Sequence, residues 1–156
     1  MKNLCTIAMC VLLVTSGIAV NAQNRIPLNE PDLNKPMLFR NLPDKIALNA
    51  AELESYFTTQ VGSNTQLSLA SDLNQKFEGN LVSRSERGSD GFQTAIVRST
   101  NFSGARLTVT RRQNDDGTVS YLGRIISFQH GDIYELQNMQ GQMFLVKKNF
   151  YDLINE

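Results

Sequence analysis

The pattern of hydrophobic and polar positions changes period at Gly62. Before it, apolar residues recur at the three- and four-residue spacing of a helix, at Ala50, Leu53, Tyr56, Phe57 and Val61. Asn49 stands where an N-cap is needed, and Glu52 can complete a capping box three residues later. The pattern predicts a helix over 50–60 that packs its apolar stripe on a sheet.

After Gly62, apolar and polar residues alternate with period two, which is typical of strands with one buried face. Short turns that contain glycine or polar residues separate these runs, so the strands are expected to form an antiparallel meander. Residues 118–128 are apolar at both parities, which indicates a central strand with a layer over each face or a helix over one. Across the turn at Gly141, Tyr134 and Leu136 are expected to pair with Phe144 and Val146.

The chain ends with Phe150, Leu153 and Ile154 at helical spacing, which predicts a short C-terminal helix. The predicted fold class is therefore α+β. It consists of an N-terminal helix packed on an antiparallel β-meander of about six strands, followed by the short C-terminal helix.

Residues 1–22 have the pattern of a secretory signal peptide. Lys2 provides the positive start, 4–14 form the apolar segment, and Val20 and Ala22 are the small residues that signal peptidase accepts. Cleavage near Ala22 predicts an extracytoplasmic protein, secreted or periplasmic, that has no membrane anchor afterwards. Both cysteines of the chain would leave with this segment, so no disulfide or thiol chemistry is expected in the mature protein.

All four prolines lie in residues 23–43, which predicts an extended leader ahead of a single α+β domain over 44–156. The leader could act as a tether, or it could dock along its own domain or on a partner. Its apolar residues Met37, Leu38 and Phe39 are candidate partner-binding residues.

The composition contains little that points to catalysis. The single histidine, His130, is expected in a turn, and one histidine without a mature cysteine cannot build the usual zinc site. A small hydrolase using Glu78 or Glu135 would require a concave pocket that contains at least two of Glu78, Glu135, His130 and Tyr121. We predict no catalytic residues, no metal and no cofactor, and we interpret the protein as a non-enzyme.

Among the polar residues, the arginines give the clearest indication of a binding surface. Arg106 and Arg112 share parity on one predicted strand, and Arg124 lies on its hairpin partner. Such a stripe could bind an acidic peptide or a sulfated or phosphorylated glycan. Loss of Lys2 with the signal peptide lowers the formal net charge from 0 to −1, which does not favour nucleic acid.

The function predicted from the sequence is that of an exported, non-enzymatic binding domain whose partner is another exported protein or peptide. One alternative is an inhibitor or propeptide-like module for an exported peptidase, with the leader in the protease cleft. A second is a small-ligand module with a pocket between helix and sheet, lined by Tyr56, Phe57, Tyr121 and Ile125.

Overall fold

A computed structural model describes residues 34–70, 75–87 and 91–154, and one antiparallel sheet dominates it. The predicted signal peptide, residues 1–22, and residues 23–33 of the leader lie outside the described residues, so export stays a prediction. None of the helices in the described part of the chain is long and apolar enough to cross a membrane.

Eight strands form in the described residues, and a single α-helix, α1 (Ala50–Thr58), joins the first two. The strands are β1 (Lys45–Leu48), β2 (Asn64–Ala70), β3 (Gln75–Arg87), β4 (Phe92–Ser99), β5 (Arg106–Gln113), β6 (Val119–Ile126), β7 (Asp132–Met139) and β8 (Gln142–Asn149). Their order in the sheet is β1-β8-β7-β6-β5-β4-β3-β2, with every neighbouring pair antiparallel. The antiparallel sheet predicted from the sequence is confirmed.

The predicted fold class is wrong in its architecture. The protein is mostly β, because eight strands curl into a half-barrel, and no N-terminal helix forms a layer packed on the sheet. A curled sheet folds its apolar face onto itself, so it needs no separate helical layer. The predicted C-terminal helix is a 3-10 helix, Phe150–Ile154.

Two glycines allow neighbouring strands to approach closely where the sheet curls. A Cβ atom at Gly79 would lie 2.4 Å from the carbonyl oxygen of Arg98, and one at Gly123 would lie 2.4 Å from that of Thr108. A glycine inside a strand often marks such a bend or close approach.

The core lies on the concave face of the sheet, which we define as the face that carries the buried side chains of Val109, Ile125 and Leu145. Helix α1 adds the side chains of Leu53 and Tyr56 to this core, and both are fully buried. The curved sheet and one short helix therefore enclose the core.

Two local features were not predicted from the sequence: strand β1 and the role of Glu52. β1 is only four residues long, which is too short for its alternation to stand out. Asn49 caps α1 as predicted and accepts a hydrogen bond from the Ala51 amide, but the capping box is wrong. The Glu52 carboxylate instead accepts from the Ser68 hydroxyl at 2.8 Å and from the Ser68 amide, which covers part of the open edge of β2.

The pairing of β7 with β8 also differs from the prediction. Gln140 and Gly141 both have positive φ, 54° and 83°, so they form a two-residue turn that pairs Met139 with Gln142. This register places Leu136 opposite Leu145, and Tyr134 opposite Lys147. The predicted partners Phe144 and Val146 lie on the other face.

Candidate functional site

The convex face of the sheet, opposite the core, carries the arginines singled out from the sequence. Arg106 and Arg112 lie on β5 at the same parity, and Arg124 on β6 pairs with Thr108, which puts all three side chains on this face. All three are exposed. Arg112 follows Arg106 by six positions of extended strand, a span of about 20 Å.

Arg98 of β4 lies directly opposite Arg106. The next pair along the ladder is hydrogen-bonded, because the Ser99 amide donates to the Ala105 carbonyl. Arg98 and Arg106 therefore form a non-hydrogen-bonded pair, the kind in which facing side chains are closest. The sequence analysis did not assign Arg98 to the stripe, because its position depends on the register between β4 and β5. We call Arg98, Arg106, Arg112 and Arg124 the basic stripe.

Little negative charge lies near the basic stripe. Among the described residues, no carboxylate comes within ion-pair distance of Arg98, Arg106 or Arg124. Glu135 lies opposite Arg124 on the next strand, but its carboxylate is bound to Lys148 at 2.6 Å. The hydrogen bond from Lys148 is the largest of several interactions that lower the pKa of Glu135, and the charge of Arg124 adds to the effect.

An exposed leucine interrupts the basic stripe. Leu122 lies on the convex face between the rows of Arg124 and Arg112, and it is 64% exposed. Of the two arrangements expected for residues 118–128, a layer over each face is therefore wrong at this strand. Next to it, the guanidinium of Arg112 lies 5.2 Å from the centre of the Phe92 ring.

The described part of the leader lies against its own domain. The Asp132 carboxylate is buried, and it accepts hydrogen bonds from the backbone amides of Leu38 at 2.6 Å and Phe39 at 2.8 Å. The Phe39 ring packs between Phe102 and Tyr134, with ring centres 5.4 and 5.0 Å away. Phe39 is thus part of the core, at 1% exposure.

Further contacts hold the same segment along its length. The Pro36 carbonyl accepts from the Gly131 amide, the Leu42 carbonyl accepts from Lys147 Nζ, and the Pro43 carbonyl accepts from the Tyr134 hydroxyl. Of the three predicted partner-binding residues in the leader, Leu38 is half-buried, and Met37 alone remains largely accessible, at 46% exposure.

On the concave side, a charged group joins α1 to the sheet. Glu54 accepts from Arg111 Nε at 3.1 Å and from the Tyr121 hydroxyl. Burial is the main cause that raises the pKa of Tyr121 to about 12, and its bond to Glu54 adds to the effect. Arg111 therefore neutralises the one carboxylate of this group, and the arrangement ties the helix to β5 and β6.

His130 lies in a turn with Ser127, whose hydroxyl is 2.8 Å from His130 Nδ1. Ser127 is fully buried and also contacts the Ser103 carbonyl, so a substrate could not reach its oxygen. Glu78 and Glu135 lie on β3 and β7 with three strands between them, so they do not share a cleft. Within the described ranges, no group of three His, Cys, Asp or Glu side chains could hold a metal ion.

Comparison with family models, with curated proteins and with solved structures finds no match to this chain.

Proposed function

We propose that this chain is an exported, non-enzymatic domain that binds an acidic protein segment along the basic stripe. The observation that carries this proposal is the apposition of Arg98 and Arg106. Like charges directly opposite each other destabilise a sheet, and here no described carboxylate lies close enough to offset the cost. A partner's carboxylates would supply the missing negative charge, and arginine binds carboxylates with two parallel hydrogen bonds.

The exposed leucine favours a protein partner over a sulfated glycan. Leu122 offers an apolar contact between arginine rows, and an apolar anchor ringed by charge is typical of protein interfaces. A glycan would gain charge neutralisation from the arginines but little from Leu122. An extended peptide places alternate side chains about 6.7 Å apart, the spacing of successive rows on one face of a strand.

Two alternatives from the sequence meet specific obstacles. A protease inhibitor that places the leader, residues 23–43, in a protease cleft could not use its described end as it stands, because Phe39 is buried and the Leu38 amide is bonded to Asp132. A pocket between helix and sheet would need space beside Tyr56 and Ile125, and both side chains are fully buried in the core.

The test uses a short fluorescein-labelled peptide of alternating Glu and Leu, with binding followed by fluorescence anisotropy at low salt. The double variant Arg98→Gln/Arg106→Gln should weaken binding about tenfold, because each exposed ion pair is worth about 0.2–1 kcal/mol. The same variant should fold at least as stably as the parent, because it removes a like-charge pair. Raising the salt concentration should weaken binding of the parent.

Lys45→Gln is the control, because it removes one positive charge from β1, which three strands separate from β5. It should bind the peptide as the parent does. Leu122→Ser should remove the preference for the Glu-Leu peptide over polyglutamate. Equal peptide binding by the parent and the double variant would overturn the proposal, and so would tighter binding of a heparin fragment that does not depend on Leu122.

A further inference from the structure

A cleft of about 710 Å³ lies between the docked leader and the start of β3. One wall is the segment Pro36–Leu42, which contributes Met37 and Arg40. The other wall consists of the first residues of β3 and the turn that holds Asn101 and Phe102. Its volume is in the range of sites that bind small molecules.

Both walls are held by the sheet before any ligand arrives. Asn101 donates to the Lys76 carbonyl at 2.7 Å and accepts from the Glu78 amide at 3.1 Å, which fixes the turn to β3. Phe102 stacks on Phe77 and touches Phe39 of the opposite wall. A site with preformed walls loses less entropy when it binds a ligand.

The charges of the cleft are divided between its walls. Arg40 lies on the leader wall and Glu78 on the β3 wall, and no described residue of opposite charge lies within ion-pair distance of either. Lys76 is engaged by Gln66, since its Nζ donates to Gln66 Oε1 at 3.1 Å. A neutral amide acceptor leaves the charge of Lys76 in place, so the cleft presents two cations, Arg40 and Lys76, and one anion, Glu78, to a ligand.

The β3 wall also contains an acceptor that lacks a donor. Gln75 Oε1 is buried, and no hydrogen-bond partner is present for it in the described structure. Buried acceptors are almost always satisfied. Gln75 lines the cleft and is half-buried as a residue, so a rotation of its side chain can present this oxygen to an N–H group of a ligand.

The geometry points to a second site in this cleft, for a short zwitterionic peptide. Its terminal carboxylate would bind Arg40, its terminal ammonium would bind Glu78, and an internal amide would donate to Gln75. A free amino acid has both charges but lacks the internal amide. Met37 and Phe102 provide apolar surface for its side chains.

The test is an NMR titration of ¹⁵N-labelled protein with trialanine, N-acetyl-trialanine and trialanine amide. Trialanine should shift the amides around the cleft and saturate with a dissociation constant of order 1 mM. Blocking either terminus should weaken binding up to about fivefold, the worth of one exposed charge pair. Absence of saturation by about 10 mM would overturn the inference, as would equal binding of all three peptides.

Two variants assign the termini. In Glu78→Gln, acetylation of the peptide should make no further difference, whereas amidation should still weaken binding. In Arg40→Gln, amidation of the peptide should make no further difference, whereas acetylation should still weaken binding. A result in which acetylation still weakens binding to Glu78→Gln would contradict the assignment of the ammonium.

A third variant separates binding from folding. Gln75→Leu removes an acceptor that has no donor in the free protein, so its melting temperature should not fall. Its affinity for trialanine should fall, and a loss of stability with unchanged affinity would contradict the role of Gln75. Arg106→Gln on the convex face should bind trialanine as the parent does. The proposal for the basic stripe and the proposal for the cleft can therefore be refuted independently of each other.

Discussion

Replacement of Asp132 by asparagine tests whether the docked leader is a structural part of the domain. Asp132 is 2% exposed, and its two carboxylate oxygens accept from the backbone amides of Leu38 and Phe39. Asparagine has nearly the same shape but only one acceptor oxygen. Its NH₂ group would face the amide of Leu38 or Phe39, so two donors would meet.

The expected loss follows from these two bonds. A hydrogen bond to a charged group is worth about 1.5–3 kcal/mol, and an unsatisfied buried amide costs about 1–3 kcal/mol. Partial relaxation keeps the sum below the upper limits, so we expect a loss of about 3 kcal/mol in the free energy of unfolding. For a domain of this size, that corresponds to a fall of about 10 °C in Tm.

Urea and thermal unfolding followed by circular dichroism measure this loss, and hydrogen exchange localises it. The amides of Leu38 and Phe39 should exchange faster in Asp132→Asn, because their acceptor has changed. Asp115→Asn in the exposed hairpin turn is the matched control and should change stability by no more than about 0.5 kcal/mol. If Asp132→Asn unfolds like the parent with unchanged protection of both amides, the clamp contributes nothing and the reasoning fails.

Two further predictions concern the sheet. Gly123→Ala would place a Cβ atom 2.4 Å from the Thr108 carbonyl oxygen. Urea denaturation should therefore show that the free energy of unfolding falls by about 2 kcal/mol or more. Unchanged stability would show that the two strands can move apart without cost. Glu135→Gln should lose up to about 1 kcal/mol near pH 7, because its ion pair with Lys148 is partly exposed. The folded protein lowers the pKa of Glu135, so this contribution is present above the unfolded pKa and is lost as pH falls through the folded pKa. The difference between parent and variant in urea unfolding should therefore shrink as pH falls below the unfolded pKa of about 4.3, and a difference that stays constant as the carboxylate is protonated would contradict an ionic origin.

The local pattern of apolar and polar residues predicted the strands correctly, but it did not predict how helix and sheet are layered. Period-two alternation predicted the strands after Gly62 and their antiparallel pairing, because side chains of a strand alternate between its faces. It could not predict curvature, which depends on close approaches such as that of Gly123 to Thr108. The apolar stripe of α1 contributes Leu53 and Tyr56 to the core of the curled sheet and does not form the separate helical layer that was predicted.

For the candidate site, the sequence again indicated only which residues of a single strand point to the same face of the sheet. The shared parity of Arg106 and Arg112 follows from their spacing. The apposition of Arg98 and Arg106 follows only from the register between β4 and β5, and the exposure of Leu122 only from the absence of a covering layer. No local signal in the sequence indicated the unpartnered oxygen of Gln75.

The sequence by itself determined where apolar and polar residues alternate, where α1 begins after its cap Asn49, and that Arg106 and Arg112 share a face. These are local properties, set by the period of the backbone and by hydrogen bonds between near neighbours. The tertiary structure decided that the sheet curls, that Asp132 captures the leader, and that two cationic side chains meet without an acid between them. Those outcomes join residues far apart in the chain, through contacts that no local periodicity encodes.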